Sequence, residues 1–351
     1  MKKVTMQEIA DSLNISRVTV WKVFNNYPGV SDVLCKQIMT KAEELGYLKQ
    51  KQNIQDDIQI HNKIDTYSPV TNMTVSVVVS RPESSMFWMN IIHHIAKELF
   101  NSDINLMYTY LPAKTSEGYT LPSILTGQAL DGIIVLNVYD YDILTMLNGL
   151  TMEKVFLDLV TPFPEETLTG DLFLLEGKSL IRKITDSIIS KGRKEIGFIG
   201  DIAYARTNND RYLGFLEAMN RNQLQVNPDY CLTHSIGIYS YAEEINAFLA
   251  GLKKMPEAFV CASDYVAHFL VKYLNANNYN IPEDIAVSGY DGTTEYIAQE
   301  NYLTTVMVQT KELGKRLVKQ LLYRIANPDA PIEVTYIYSK IKYGESTNFR
   351  N

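Results

Sequence analysis

The chain has 351 residues, of which 46% are hydrophobic and 21% charged, values that suit two or three packed domains. Its 33 basic and 40 acidic side chains leave a net charge of −7, which excludes a uniformly basic nucleic-acid coat. No apolar run of about 18 residues could span a membrane, the first residues lack the apolar core of a signal peptide, and three separated cysteines (Cys35, Cys231, Cys261) point to a reducing, cytoplasmic setting.

Charge is uneven along the chain. Residues 1–51 carry about eight basic and about five acidic side chains, about +3 net, against about −10 for the remainder. A small basic head on an acidic body predicts an anionic partner for the head alone. The head reads as three short helices. Thr5 and Glu8 form a capping box for a helix to about residue 13, with Ile9, Ala10 and Leu13 inward. Asn14 suits the left-handed stop, and Ser16 caps a second helix over 17–25 after a short turn. Ser31 caps the third, with Asp32 at its positive end, Leu34, Ile38, Ala42 and Leu45 at helical spacing, and Gly46 at its stop.

The second helix carries the chemistry. Val20, Val23 and Phe24 share one side and pack inward; Arg17, Val18, Trp21, Lys22 and Asn25 share the other. A partly exposed packing face is the plainer alternative. A solvated face, however, rarely presents Val and Trp among two cations and an amide. A face that enters a DNA major groove does, with cations for guanine O6/N7, an apolar group for a thymine methyl and hydroxyl caps for phosphates.

In order, Val4-Thr5, Ile9-Ala10, Ile15-Ser16, Thr19-Val20, Val23, Asn25, Val30-Ser31 and Gly46-Tyr47 resemble the DNA-binding head of the LacI/GalR family of bacterial repressors. The resemblance implies that Arg17, Val18 and Lys22 read bases, with Trp21 beside them. It implies that Thr5, Ser16, Thr19, Asn25 and Ser31 touch the DNA backbone. Two positions depart from the family pattern. Lys22 replaces the usual arginine and loses its planar two-pronged guanine contact, and Trp21 stands where a small residue is usual. The linker 48–71 is longer than the family's, and Asp56 falls where a leucine would enter the minor groove. A polar tether, an atypical hinge, is therefore expected there, although Ile54 and Ile58 keep an i, i+4 spacing.

Beyond the linker, apolar runs at 73–80, 104–110, 131–136, 155–159, 195–199, 258–262 and 285–288 alternate with helical patterns at 88–100, 179–191, 211–220 and 265–275. Such alternation predicts an α/β body of doubly wound parallel sheets, with ligands outside the carboxyl ends of strands. The family resemblance continues through Asp131-Gly132-Ile133-Ile134, Phe156-Leu157-Asp158 and the segments 197–200, 210–215, 259–264, 281–292, 303–306 and 345–347. It implies a two-lobed, periplasmic-binding-protein-like body behind an all-α helix-turn-helix head. The expected organisation is a head 1–47, a linker 48–71 and a body 72–351. Its first lobe would take about 72–163 plus 305–333 and its second about 164–304 plus 334–347.

Cleft candidates are groups that read a polyol. Arg211 can span two adjacent hydroxyls, while Asp291 and Asp158, each just past a strand, can accept hydroxyl protons. The resemblance implies effector-binding positions for these three. Phe87, Trp88 and Tyr239 supply aromatic planes, and Ser263 stands where the family often has asparagine. An ion pair of Arg211 with Asp210 or a nearby loop acid, a turn role for Asp291 and core packing for Trp88 and Tyr239 are the structural alternatives.

Signs of an enzyme fail. Gly177-Lys178-Ser179 lacks the earlier P-loop glycine, since Leu172 stands there, and no nucleophile elbow or zinc-protease motif occurs. Of five histidines, His93 and His94 are adjacent but diverge by about 100° on a helix, a poor chelate. No catalytic residue, metal or cofactor is expected. The resulting expectation is a ligand-responsive repressor that binds a pseudo-palindromic operator as a homodimer, with a sugar or glycoside effector between its lobes. The end of the chain soon after 347 leaves no C-terminal coiled coil for a tetramer. A nucleobase or phosphoprotein effector, or, in another class, a solute-binding receptor, remain open alternatives.

Overall fold

In the computed structural model the described residues are 6–13, 15, 16, 19, 20, 23, 30–45, 73–80, 85–237, 240–293 and 302–349. The chain divides into two compact units, Met1–Ser68 and Pro69–Asn351. In the first, helices Met6–Ser12 and Asp32–Glu44 enclose a small core of Ile9, Ala10, Val20, Ile38 and Ala42. The Ser31 side chain caps the second of these helices by accepting from the Leu34 N–H. Leu45, expected inside, is a half-exposed helix terminator instead. Phe24 and the linker 48–71 lie outside the described residues.

The second unit holds two parallel sheets. The first has strands β1 (Thr74–Val79), β2 (Asn105–Tyr110), β3 (Gly132–Leu136), β4 (Glu153–Leu157), β5 (Asp171–Leu175) and β11 (Val334–Ile337), in the order β11-β5-β4-β3-β1-β2. The second has β6 (Ile196–Ile199), β7 (Cys231–Leu232), β8 (Ala258–Cys261) and β9 (Ala286–Ser288), in the order β7-β6-β8-β9. A short antiparallel ribbon of β10 (Thr305–Met307) and β12 (Lys340–Lys342) accompanies the crossings between the lobes. The runs in β1, β3 and β5 are buried nearly throughout because helices cover both faces. Among the described residues no helix is long and apolar enough to cross a membrane.

Two lobe boundaries differ from those expected. Strands β5 and β11, assigned above to the second lobe, pair with each other and complete the first sheet. The Leu-rich run in β5 has no β-branched residue, so its pattern does not separate strand from helix. In β11, burial alternates as in an edge strand.

One helix crossing leaves no room for a side chain. Helices Lys178–Ser190 and Arg206–Arg221 cross at Gly214, where a Cβ would stand 2.1 Å from the Lys178 carbonyl oxygen. No other residue fits that crossing.

Helix Thr310–Ala326 seals the first sheet through a buried polar network. Arg324 meets Glu153 at 3.0 Å and Asp171 at 3.7 Å, and donates to the Ala330 carbonyl at 2.7 Å. Asp171 also accepts from Gln320 at 2.6 Å and from the Glu333 N–H at 2.9 Å. Removing one member leaves the others desolvated and unpaired. Asp171→Ala should therefore lower the body's stability by about 3–5 kcal/mol in urea unfolding. A loss below about 1 kcal/mol would show the network to be dispensable.

Candidate functional site

The carboxyl ends of strands from both sheets converge on one cleft. Asn137 and Tyr139 follow β3, Asp158 follows β4, Asp201 and Tyr204 follow β6, Ser263 follows β8 and Asp291 follows β9. Phe87 and Trp88 enter from the start of helix Met86–Asn101, and Arg211 from helix Arg206–Arg221. The cavity there is about 120 Å³. Of the seven residues expected to bind an effector, Phe87, Trp88, Asp158, Arg211, Ser263 and Asp291 all line it; Tyr239 lies outside the described residues.

Asp158 is committed to the protein. Its Oδ1 accepts from the backbone of Leu159 at 2.9 Å and of Thr207 at 3.2 Å, while its Oδ2 accepts from the Thr207 hydroxyl and from Tyr139 at 3.1 Å. Burial raises its pKa, and the bonds from Thr207 and Leu159 together with Arg211 oppose that rise without cancelling it. Since Thr207 belongs to the second lobe and Tyr139 to the first, Asp158 ties the lobes together. Three further contacts reinforce the seam: Arg206 N–H to the Leu159 carbonyl at 2.7 Å, Arg206 with Glu165 at 2.8 Å, and the Tyr139–Tyr204 ring pair at 4.4 Å.

Arg211 is buried and stacks over the Tyr290 ring at 3.6 Å. Its guanidinium donates to the Ala262 carbonyl at 2.6 Å and reaches Asp291 at 3.9 Å, while its Nε has no acceptor among the described residues. Of the structural alternatives for Arg211, the pair with Asp210 does not form, since Asp210 sits 3.8 Å from Arg206, and the acid that Arg211 reaches is Asp291. Ser263 caps helix Asp264–Ala276 by accepting from the Val266 N–H.

Behind Asp291 lies a carboxyl that the sequence reading missed. Asp264 is buried and accepts from the Thr305 hydroxyl at 2.7 Å and from the Thr293 N–H at 2.9 Å. Desolvation raises both carboxyls above the usual range, and the negative charge of Asp291 adds to the rise at Asp264, whereas Arg211 opposes the rise at Asp291. A carboxyl that keeps its proton can donate as well as accept. Backbone strain concentrates here too: Asn137, Asp158 and Asp291 have φ of 53°, 68° and 118°.

The aromatic walls were only partly foreseen. Phe87 and Trp88 meet edge to face at 5.2 Å. Opposite them Tyr241 and Tyr265 form a second such pair at 5.5 Å. Only their position past strand ends marked these tyrosines, and 23 tyrosines scattered along the chain hide that signal. Among the described residues no three His, Cys, Asp or Glu side chains gather as metal ligands.

In the head, Arg17, Val18, Trp21, Lys22, Thr5 and Asn25 lie outside the described residues. Ser16 accepts from the Thr19 N–H at 3.1 Å, and the two hydroxyls bond each other at 2.9 Å.

Known proteins share much of this chain. Residues 185–347 match the family described as periplasmic binding protein-like domain. Across 345 residues the chain is 26% identical to the HTH-type transcriptional regulator RegA of Clostridium saccharobutylicum, covering 95% of this chain and 96% of that one. Over nearly its whole length the chain is thus similar to HTH-type transcriptional regulators. The fold is also that of a transcriptional regulator CelR–cellobiose complex, with a TM-score of 0.68 at 20% identity, covering 98% of this chain and 99% of that one. A lac repressor dimer bound to operator and the anti-inducer ONPF gives 0.65 at 18% identity, covering 99% of each chain.

The raised carboxyls give a pH signature with a defined sign. In the folded chain Asp264 and Asp291 hold protons that the unfolded chain releases near pH 4. Between that pH and the raised folded values the native state binds more protons, so stability falls as pH rises. Asp291→Asn should flatten this fall in thermal melts from about pH 4 upward. An unchanged slope would place the proton elsewhere.

Proposed function

We propose that the protein is a cytoplasmic, dimeric repressor whose body senses a small carbohydrate and whose head, residues 1–47, reads a pseudo-palindromic operator. The observation that carries the effector class is the cleft itself. Aromatic rings from both lobes flank a buried guanidinium and a raised carboxyl, which suits a ligand with apolar ring faces and a hydroxyl rim. Arg211 and Asp291 read adjacent hydroxyls, Trp88 and Tyr241 cover the ring faces, and Asp158 acts on the lobes rather than on the ligand. The likeness to a cellobiose-bound regulator supports a sugar over other effectors.

For the head, Arg17, Val18, Trp21 and Lys22 face bases, and Thr5, Ser16, Thr19, Asn25 and Ser31 face phosphates. Two heads on one dimer raise the local concentration of the second, so weak half-sites combine into firm binding. The ligand acts by its differential affinity for the two lobe arrangements. This role is sensing, with no step that turns a substrate over.

Lys22→Ala should weaken binding to the cognate operator by about 1–3 kcal/mol in mobility shifts, with a smaller loss on random DNA. Equal losses on both would reduce Lys22 to a phosphate contact, and no saturable shift on any genomic fragment would end the repressor reading.

The two tryptophans separate the two activities. Operator should quench Trp21 and a bound sugar should perturb Trp88, so each single Trp→Phe variant loses one response. If calorimetry shows a nucleobase binding while every sugar fails, the effector class changes and the DNA-binding role stands.

A further inference from the structure

A second cavity lies away from the cleft and is larger, about 520 Å³ against about 120 Å³. Helix Thr310–Ala326 forms one wall and the turn between β11 and β12 the other. The helix presents Lys315, Arg316 and Lys319 to the cavity, and Lys340 comes from the opposite wall. The one acid in the lining is Glu312, and Lys315 already holds it at 3.4 Å.

Several cations elsewhere in the body are neutralised, as in Arg206–Glu165, Arg324–Glu153 and Lys254–Glu195. Among the described residues Arg316, Lys319 and Lys340 have no carboxylate within ion-pair distance. Grouping them around one cavity of a chain with net charge −7 raises the local potential, which a bound anion lowers. The cavity also has an apolar side. Leu313 is buried at its floor beside Ile337, and the Tyr338 ring stands 71% exposed at its rim.

We propose that this groove on the first lobe is a second ligand site, for a small phosphorylated molecule with an apolar or ring-shaped body. Arg316 supplies a planar two-pronged donor for phosphate oxygens, Lys319 and Lys340 supply point charges, and Tyr338 covers the organic part. The site is separate from the effector cleft and does not depend on which effector that cleft takes.

Isothermal titration of the full-length protein with phenyl phosphate and with inorganic phosphate, each against potassium chloride at matched ionic strength, tests the proposal. Phenyl phosphate should bind saturably and more tightly than inorganic phosphate. The double variant Arg316→Gln/Lys319→Gln should weaken both at least tenfold, and Tyr338→Ala should weaken phenyl phosphate alone. All three positions are exposed, and Lys254→Gln, a cation far along the chain in another ion pair, should leave binding unchanged. Absence of saturable binding, a response no greater than that to chloride, or full binding by the double variant would each overturn the site.

Discussion

The Asp158 carboxylate is held from both sides of the cleft at once. Leu159 and Tyr139 donate from its own lobe, and Thr207 donates twice from the other. A buried anion is tolerable only when its donors are all in place, because each missing one leaves desolvation uncompensated. The bonds across this seam therefore depend on one another and act as one unit.

The cleft follows from the topology. Parallel sheets send every strand's carboxyl end toward the same side, and the crossings between lobes place the two sets of ends face to face. Tyr290 secures one of these crossings by donating its hydroxyl to the Glu176 carbonyl while its ring supports Arg211. One buried aromatic thus serves both the connection between lobes and the orientation of the cleft's guanidinium.

Much of this was legible in the sequence, for reasons that also mark the limit. Strands with Val and Ile runs, such as β1 and β3, announced themselves, and so did the helices with a regular apolar stripe. Strands β7, β10 and β12 have two or three residues each and leave no periodicity to read. Arg211, Asp291 and Trp88 were recognisable as groups suited to a polyol. The commitment of Asp158 to Thr207 was not, since the two residues are 49 positions apart and meet only through the crossing of the lobes. Asp264 was hidden for another reason: an acid at the first turn of a helix looks like an ordinary helix-dipole partner. Only burial beside Asp291 distinguishes it.

The hydroxyl pair at the start of the head's second helix has its own consequence. The Ser16 oxygen takes the Thr19 amide hydrogen, and it can take the Thr19 hydroxyl hydrogen as well. In that arrangement both lone pairs of the Ser16 hydroxyl are engaged by Thr19 alone. The side chain is then held in one rotamer by its own turn, so the entropy cost of ordering it is already met within the folded head.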